Sequence, residues 1–551
     1  MEHFEKHEDT LKHAIAAIGS RKYWSAYPDS PRAYSDEEPA AGEEAFQAQL
    51  GRPFELDQPQ SGMTGGGEYS PYGVELGVTY PKSSVDQLMS AARTATATWG
   101  KASPQERAGV CLEILDRLRQ NSFEMAHAVM QTTGQPFLMA FQTGGPHALD
   151  RGLEAIAYAY AEMTKLPAGE TRWEKPQGKR DPLQIDKKWL IRPRGVAVAL
   201  CSSTSPTLDG YPGIFASLVT GNPVIVKPHP GTILPLAIFV DTARTAIAEA
   251  GFDPNRVLLA VDTQEYPITE ELVMHPAVGI IYYTGSSDGG DRLERDVTSA
   301  LVFIEKSGVN SIVLDSAPDL KGIFRNLSVS LTMYSGQMRT APQNVYIPAA
   351  GIEVDGEQVP FGDIARGLVG AIESLLSDDQ RAGDVLGAIK GSDVADLIAD
   401  AAASGQVLLE SRRVNHPTFP AAEVRTPLIV KVDADYQRAY MRPMSGPVIY
   451  LVATADTEES LDLARKSAIE QGAVTWLVYT TNEEVKDQAV DAAVEAGVSV
   501  AFNLAGGLYV NESAAFSDFN GTGANPSGNA TVTDPAFVAG RFRVIGVRSS
   551  A

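Results

Sequence analysis

Between residues 196 and 285 the chain alternates short, wholly apolar runs with amphipathic stretches. VAVAL (196–200), PVIVK (223–227), VLLAV (257–261) and VGIIYYTG (278–285) show no polar alternation, and the stretches 212–220 and 235–250 between them keep helical spacing. Apolar strands joined by amphipathic helices predict a parallel sheet covered on both faces, the doubly wound α/β architecture. A second set, VLLE, LIVK, VIYLV, VTWLVY and SVAFN between 407 and 503, predicts another such domain. Upstream the period is helical, with Val85, Leu88, Met89, Ala92 and Trp99 on one stripe and Val110, Cys111, Ile114, Leu115 and Leu118 on the next. Residues 171–194 alternate instead, most clearly from Gln184 to Ile191, as a β-ribbon does. The first 69 residues read as an extension. It has a short helix marked by Leu11, Ile15 and Ile18, then a Pro/Glu/Ala-rich segment, then a flexible joint at Gly62 to Gly67. His3 and His7 share a helix face there and read as solvated surface.

One stretch carries candidate chemistry. The apolar run Leu301 to Ile304 delivers Glu305 onto a Ser-Gly turn, and a second run, Ser311 to Leu314, leads away. Further on, Gly336-Gln337 opens a polar loop presenting Met338, Arg339 and Thr340 before the strand Val345 to Ile347. A carboxylate and a loop-borne residue at a pocket floor is the arrangement in which a base serves a nucleophile. A carboxylate set after an apolar strand is also partly desolvated, which favours it as a base.

Bulk properties narrow the class. A chain of 551 residues splits into two or three domains, and 44% hydrophobic with 21% charged residues describes an ordinary globular enzyme. A net charge of −23 excludes nucleic acid as a partner, because a phosphate binder needs a basic face. Cys111 and Cys201, the two cysteines, build no disulfide framework and read as core residues of a protein in a reducing cytoplasm. The charged start, MEHFEKHEDTLKH, shows no secretory leader, and no apolar run is long enough to span a membrane.

Glu-x-x-Gly at 305–308, followed by the SGQMRTAPQN loop at 335–344, resembles the paired signature of the aldehyde dehydrogenase superfamily, with Arg339 where that signature has cysteine. Together with the tail SAAFSDFNGTGANPSGNA, the loop is similar to the PaaN-type branch of phenylacetate degradation. The resemblance implies two doubly wound α/β domains plus a β-hairpin oligomerisation element. It divides the chain into residues 70–170 with 195–305 for the dinucleotide, 171–194 with 535–551 for the hairpin and its C-terminal strand, and 306–534 for catalysis. It implies a cytoplasmic homo-oligomer that oxidises a ring-opened semialdehyde, a coenzyme A thioester, supplied by a separate hydratase. The basic hairpin, with eight Lys/Arg against three acids, is then the one positive patch to attract the thioester's phosphates.

Residue roles follow from the same resemblance. Lys227 ends a strand at a carboxyl edge, where it reaches ribose hydroxyls or a phosphate. Pro230 stands where NAD-preferring relatives hold a glutamate, so with His229 and Lys227 as donors the expected cofactor is NADP, with NAD allowed. Gly285, Ser286 and Ser287 sit where strand gives way to helix and face the pyrophosphate. Glu305 is the general base. The oxyanion position falls on Thr204 by spacing from Lys227, or on Asp209 by motif. Arg339 stays protonated and lacks a usable lone pair, so it is no covalent nucleophile. Pro443 to Pro447 replaces the family's Glu-x-Phe-Gly-Pro, keeping Gly446 and Pro447. Tyr211, Phe502 and Phe516 are candidate pocket walls. Two other readings stay open: a silent scaffold for a dinucleotide or coenzyme A ester, and an enzyme whose thiol is Cys201.

Overall fold

The computed structural model describes residues 1–391, 393–510, 515–518 and 525–550. Part of the tail motif, 513–514 and 519–524, therefore lies outside the described residues.

Two sheets carry the fold. In the first, five parallel strands lie in the order Val257–Leu259, Val224–Lys227, Val196–Leu200, Val278–Gly285 and Leu301–Lys306. The side chains of the first three are buried on both faces, as unbroken apolar runs require. The second has seven strands, ordered Gln406–Leu409, Leu428–Asp433, Val448–Thr454, Pro342–Pro348, Asn310–Leu314, Thr475–Tyr479 and Ser499–Phe502. All its pairs are parallel except the first, so both domains are α/β. A third sheet stands apart: Thr171–Gln177 and Arg180–Pro193 form the ribbon, and Phe542–Ser550 pairs antiparallel along it. Its apolar residues Trp173, Leu183, Val544, Ile545 and Val547 are exposed.

The extension is docked rather than free. Its helix Glu2–Ser20 buries Leu11, Ala14 and Ala17, and a side chain at Gly109 of helix Pro104–Gln120 would strike the backbone of Phe4. His3 and His7, expected in solvent, both face Glu113 of that second helix, at 3.5 and 2.9 Å. The misreading has a simple cause: the helix's apolar stripe is short, and polar contacts finish its docking. Nor is the glycine run an open joint, for Gly67 donates to the Pro230 carbonyl at 3.1 Å. No helix of the described residues is long and apolar enough to cross a membrane.

Candidate active site

Glu305 lies near the end of the last strand of the five-stranded sheet, and Arg339 lies just before the strand Pro342–Pro348 of the seven-stranded one. The two therefore face each other across the gap between a carboxyl edge and an amino edge. A cavity of about 620 Å³ opens there, its lining including Arg151, Asp209, Tyr282, Glu305, Met338 and Arg339.

Each side chain is held by its element. Helix Pro206–Val219 carries Asp209 and packs so closely on the sheet that a Cβ at Gly213 would come within 2.2 Å of the Tyr282 ring. Tyr282 donates to the Asp209 carbonyl at 2.6 Å and approaches Glu305 Oε2 at 3.5 Å. On the other side of Glu305 the chain returns at Gly528, whose φ of 136° and lack of a side chain let it pair with the strand, since a Cβ would meet the Ile304 carbonyl at 1.8 Å. Asn310 fixes the loop by donating to the carbonyls of Arg339 and Ala341 at 2.8 and 3.2 Å. The segment 443–447 closes on the same loop, where Gly446 packs against Gly336.

At the centre the guanidinium of Arg339 bridges two buried carboxylates, with Nη1 at 2.9 Å from Glu305 and Nη2 at 3.4 Å from Asp209. Ser202 donates to the other Asp209 oxygen at 2.9 Å. Burial pulls the Arg339 pKa down, but Glu305 and Asp209 outweigh it and raise it, so the group is a fixed cation. Burial raises the Asp209 carboxyl against the pull of Arg339, with the charge of Glu305 adding to the rise. Glu305 therefore pairs with Arg339, while Lys306 beside it turns away to Asp291 and Glu294. Chemically the cluster is a cation clamped by two acids, with no thiol in it.

Of the two oxyanion candidates, Asp209 reaches the cluster. Thr204 does not line the cavity, and its carbonyl accepts from Gln135 at 2.7 Å. Cys201 is buried, does not line the cavity, and has its thiol pushed up to about 12 by burial and by Asp209, which removes it as a displaced nucleophile. None of the three proposed aromatic walls lines the cavity. Tyr211 packs on Phe215 and Phe239, Phe502 packs in the second domain, and Phe516 sits edge-on to Trp24 of the extension. Chain position drew attention to these rings, yet only packing decides which side of a wall a ring occupies. Sequence reasoning missed Tyr282 and Arg151. Arg151 pairs at 3.0 Å with fully buried Glu154, which also accepts the Phe516 amide.

At the carboxyl edge of the five-stranded sheet, Lys227 meets Asp262 at 2.6 Å, with both side chains at most 4% exposed. Burial lowers the Lys227 pKa while Asp262 raises it, and the net shift is downward. Sequence reasoning missed Asp262 too, although, like Lys227, it is a charge at the end of an apolar run. Ammonium and carboxylate together match a ribose diol, so this edge fits a nicotinamide dinucleotide. Burial and the neighbouring Lys227 and Lys390 push His229 down to about 4, so it is neutral at pH 7, and its Nδ1 accepts from Gly231. Pro230 gives its carbonyl to Gly67. Ser286 caps the helix Ser287–Asp296, while Gly285 and Gly289 clear space for the Tyr283 hydroxyl, which donates to the Ser286 carbonyl.

Fold and site together define a two-domain α/β protein with a dinucleotide-type edge beside a cleft, the architecture of an aldehyde dehydrogenase. The Aldehyde dehydrogenase family model matches residues 78–529, and the chain belongs to that family of oxidoreductases. A solved NAD-dependent aldehyde dehydrogenase from Burkholderia multivorans is 50% identical, with a TM-score of 0.98 over 100% of this chain and 99% of that one. The 1-pyrroline-5-carboxylate dehydrogenase 2 of Halalkalibacterium halodurans is 24% identical over 74% of this chain and 75% of its own length. An NADP-dependent glyceraldehyde-3-phosphate dehydrogenase of Streptococcus equinus is 26% identical over 72% and 79%.

Proposed function

We propose that this chain is a nicotinamide-dinucleotide-binding aldehyde dehydrogenase of phenylacetate breakdown, receiving a ring-opened semialdehyde as its coenzyme A thioester. The family reaction converts aldehyde, water and NAD(P)⁺ into acid, NAD(P)H and a proton, and in this reading it requires a thiol at position 339. Support for the branch comes from the SGQMRTAPQN loop and the tail motif. NADP or NAD as the dinucleotide is supported by the donor set at Lys227, by Pro230, and by relatives of both kinds. The basic ribbon 171–194 suits the phosphates of coenzyme A, and its exposed apolar residues suit a second copy of the chain. Glu305 would act as base once freed from Arg339.

The observation that carries this reading is that the position of the family's attacking sulfur lies against the base, 2.9 Å from Glu305, although Arg339 occupies it. It also favours a second reading, in which the chain is a silent scaffold that binds dinucleotide and ester and gains no turnover even with a thiol at position 339. One experiment decides between them: NAD(P)H formation and acyl-enzyme mass are followed in the native chain and in Arg339→Cys, with semialdehyde thioesters as substrates. Turnover and an acyl adduct in the cysteine form alone are expected. Binding without turnover in both forms assigns the scaffold. Equal turnover in both forms overturns the role given to Arg339.

A further inference from the structure

Lys390 follows helix Asp379–Leu386 in the catalytic half of the chain, in a stretch, GAIKGSD, that carries no motif. Its side chain runs inward, and the residue is 8% exposed. The ammonium donates to three main-chain carbonyls from three separate segments: Thr132 at 2.5 Å, Gly231 at 2.7 Å and Tyr69 at 3.3 Å. The ring of Tyr69 lies 4.0 Å from it, and the Tyr69 hydroxyl returns to the Lys390 carbonyl. A buried ammonium surrounded by carbonyls gains strong, charge-assisted hydrogen bonds without a carboxylate to neutralise it.

Its main chain reaches the other half of the site. The Lys390 amide donates to Gln337 Oε1 at 2.8 Å, and Gln337 lies two residues before Arg339. Gly231 belongs to the loop that follows Lys227, holds His229 and Pro230 and leads into helix Leu234–Glu249. Glu68, beside Tyr69, accepts from the Ile233 and Leu234 amides at the start of that helix. One residue thus joins the loop bearing position 339, the loop at the dinucleotide edge and the end of the N-terminal extension.

We propose that Lys390 is a positioning residue whose charge sets the dinucleotide loop 228–232 against the loop 336–340. The inference rests on the reading that the chain binds a nicotinamide dinucleotide. Burial lowers the lysine to about 8, with Glu68 opposing, so the full ring of three bonds belongs to neutral and lower pH. A neutral amine has only two protons to donate, and one carbonyl is then left unpaired. The groups facing the ammonium are Glu68 and Tyr69 from the extension and His229 from the dinucleotide loop. His229 titrates near 4, and burial raises Tyr69 above its usual value, so neither changes charge at pH 7 to 9.

The test is NAD and NADP affinity of the full chain, read by fluorescence titration, which needs no turnover. Lys390→Met is expected to weaken binding on the order of tenfold at neutral pH, the size of an ordinary coupling between sites. In Lys390→Ala, methylammonium should restore binding by refilling the carbonyl ring, and tetramethylammonium, which donates no hydrogen bond, should not. The native affinity should fall as pH rises through about 8 and be level in Lys390→Met. A native affinity that stays level through about pH 8 overturns the proposal even where the variants fold poorly. Unchanged affinity in Lys390→Met overturns the proposal, as does a pH step that survives in it and so belongs to Lys227. A native chain that binds neither dinucleotide fails at the earlier step, overturning the functional reading and this inference with it.

Discussion

Two cations that meet at the loop 336–340, half-buried Arg339 within it and buried Lys390 against it, have opposite fates. Arg339 lies between Glu305 and Asp209, and its pKa is raised. Lys390 lies among carbonyl dipoles, and its pKa falls to about 8. Both lose water, so burial alone does not set the sign. Two opposite charges outweigh the lost hydration of Arg339, whereas neutral dipoles repay only part of that of Lys390. Lys227 falls between: it has one carboxylate, Asp262, and its shift is still downward.

The contrast is broken most severely at its strongest pair. Arg339→Met leaves two buried carboxylates facing each other, and should lower the unfolding free energy at neutral pH by about 3–5 kcal/mol in urea titrations. Without the guanidinium Asp209, which burial already raises, should have a folded pKa still further above its unfolded one. Such a group favours the fold at low pH and loses that contribution as pH rises, so the deficit should shrink on acidification. Next in size, Asp262→Asn strips Lys227 of its carboxylate and should cost about 2–3 kcal/mol, with dinucleotide affinity falling alongside.

Glu113 offers the mirror case, an acid collecting cations. Burial pushes it up, but Lys6, His7 and Arg117 win and hold it at about 2. A depressed carboxylate stabilises the fold above its ordinary value and loses that contribution as pH falls from about 4.5 towards 2. Glu113→Gln should cost about 1–2 kcal/mol at neutral pH and flatten this acid limb in thermal melts. The smallest effect belongs to a buried neutral group. Cys201→Ser should shift stability by about 1 kcal/mol and leave dinucleotide affinity unchanged, and thiol reagents should label neither Cys111 nor Cys201 in the folded chain. Rapid labelling of Cys201 would reopen it as a nucleophile.

Much of the scaffold was readable because parallel strands buried on both faces leave unbroken apolar runs. VGIIYYTG is strand Val278–Gly285 to the residue, and RFRVIGV pairs with the ribbon in Phe542–Ser550. Boundaries slipped where a proline opens a helix before its apolar period begins, as at Pro206, six residues ahead of the expected start. At the site, Glu305, Asp209 and Arg339 were each visible singly. Their meeting was not, for 130 residues separate Asp209 from Arg339.

The chain alone determined the two α/β layers, the ribbon, and an arginine where a sulfur is expected, because these depend on local period and on the identity of single residues. Tertiary structure decided what each charge does. It gave Arg339 two acids and Lys227 one, left Lys390 with carbonyls, buried Cys201, and turned Phe516 from a wall into core. The reason is physical: the energy of a buried charge depends on partners brought together by distant parts of the chain, and no local pattern encodes that distance.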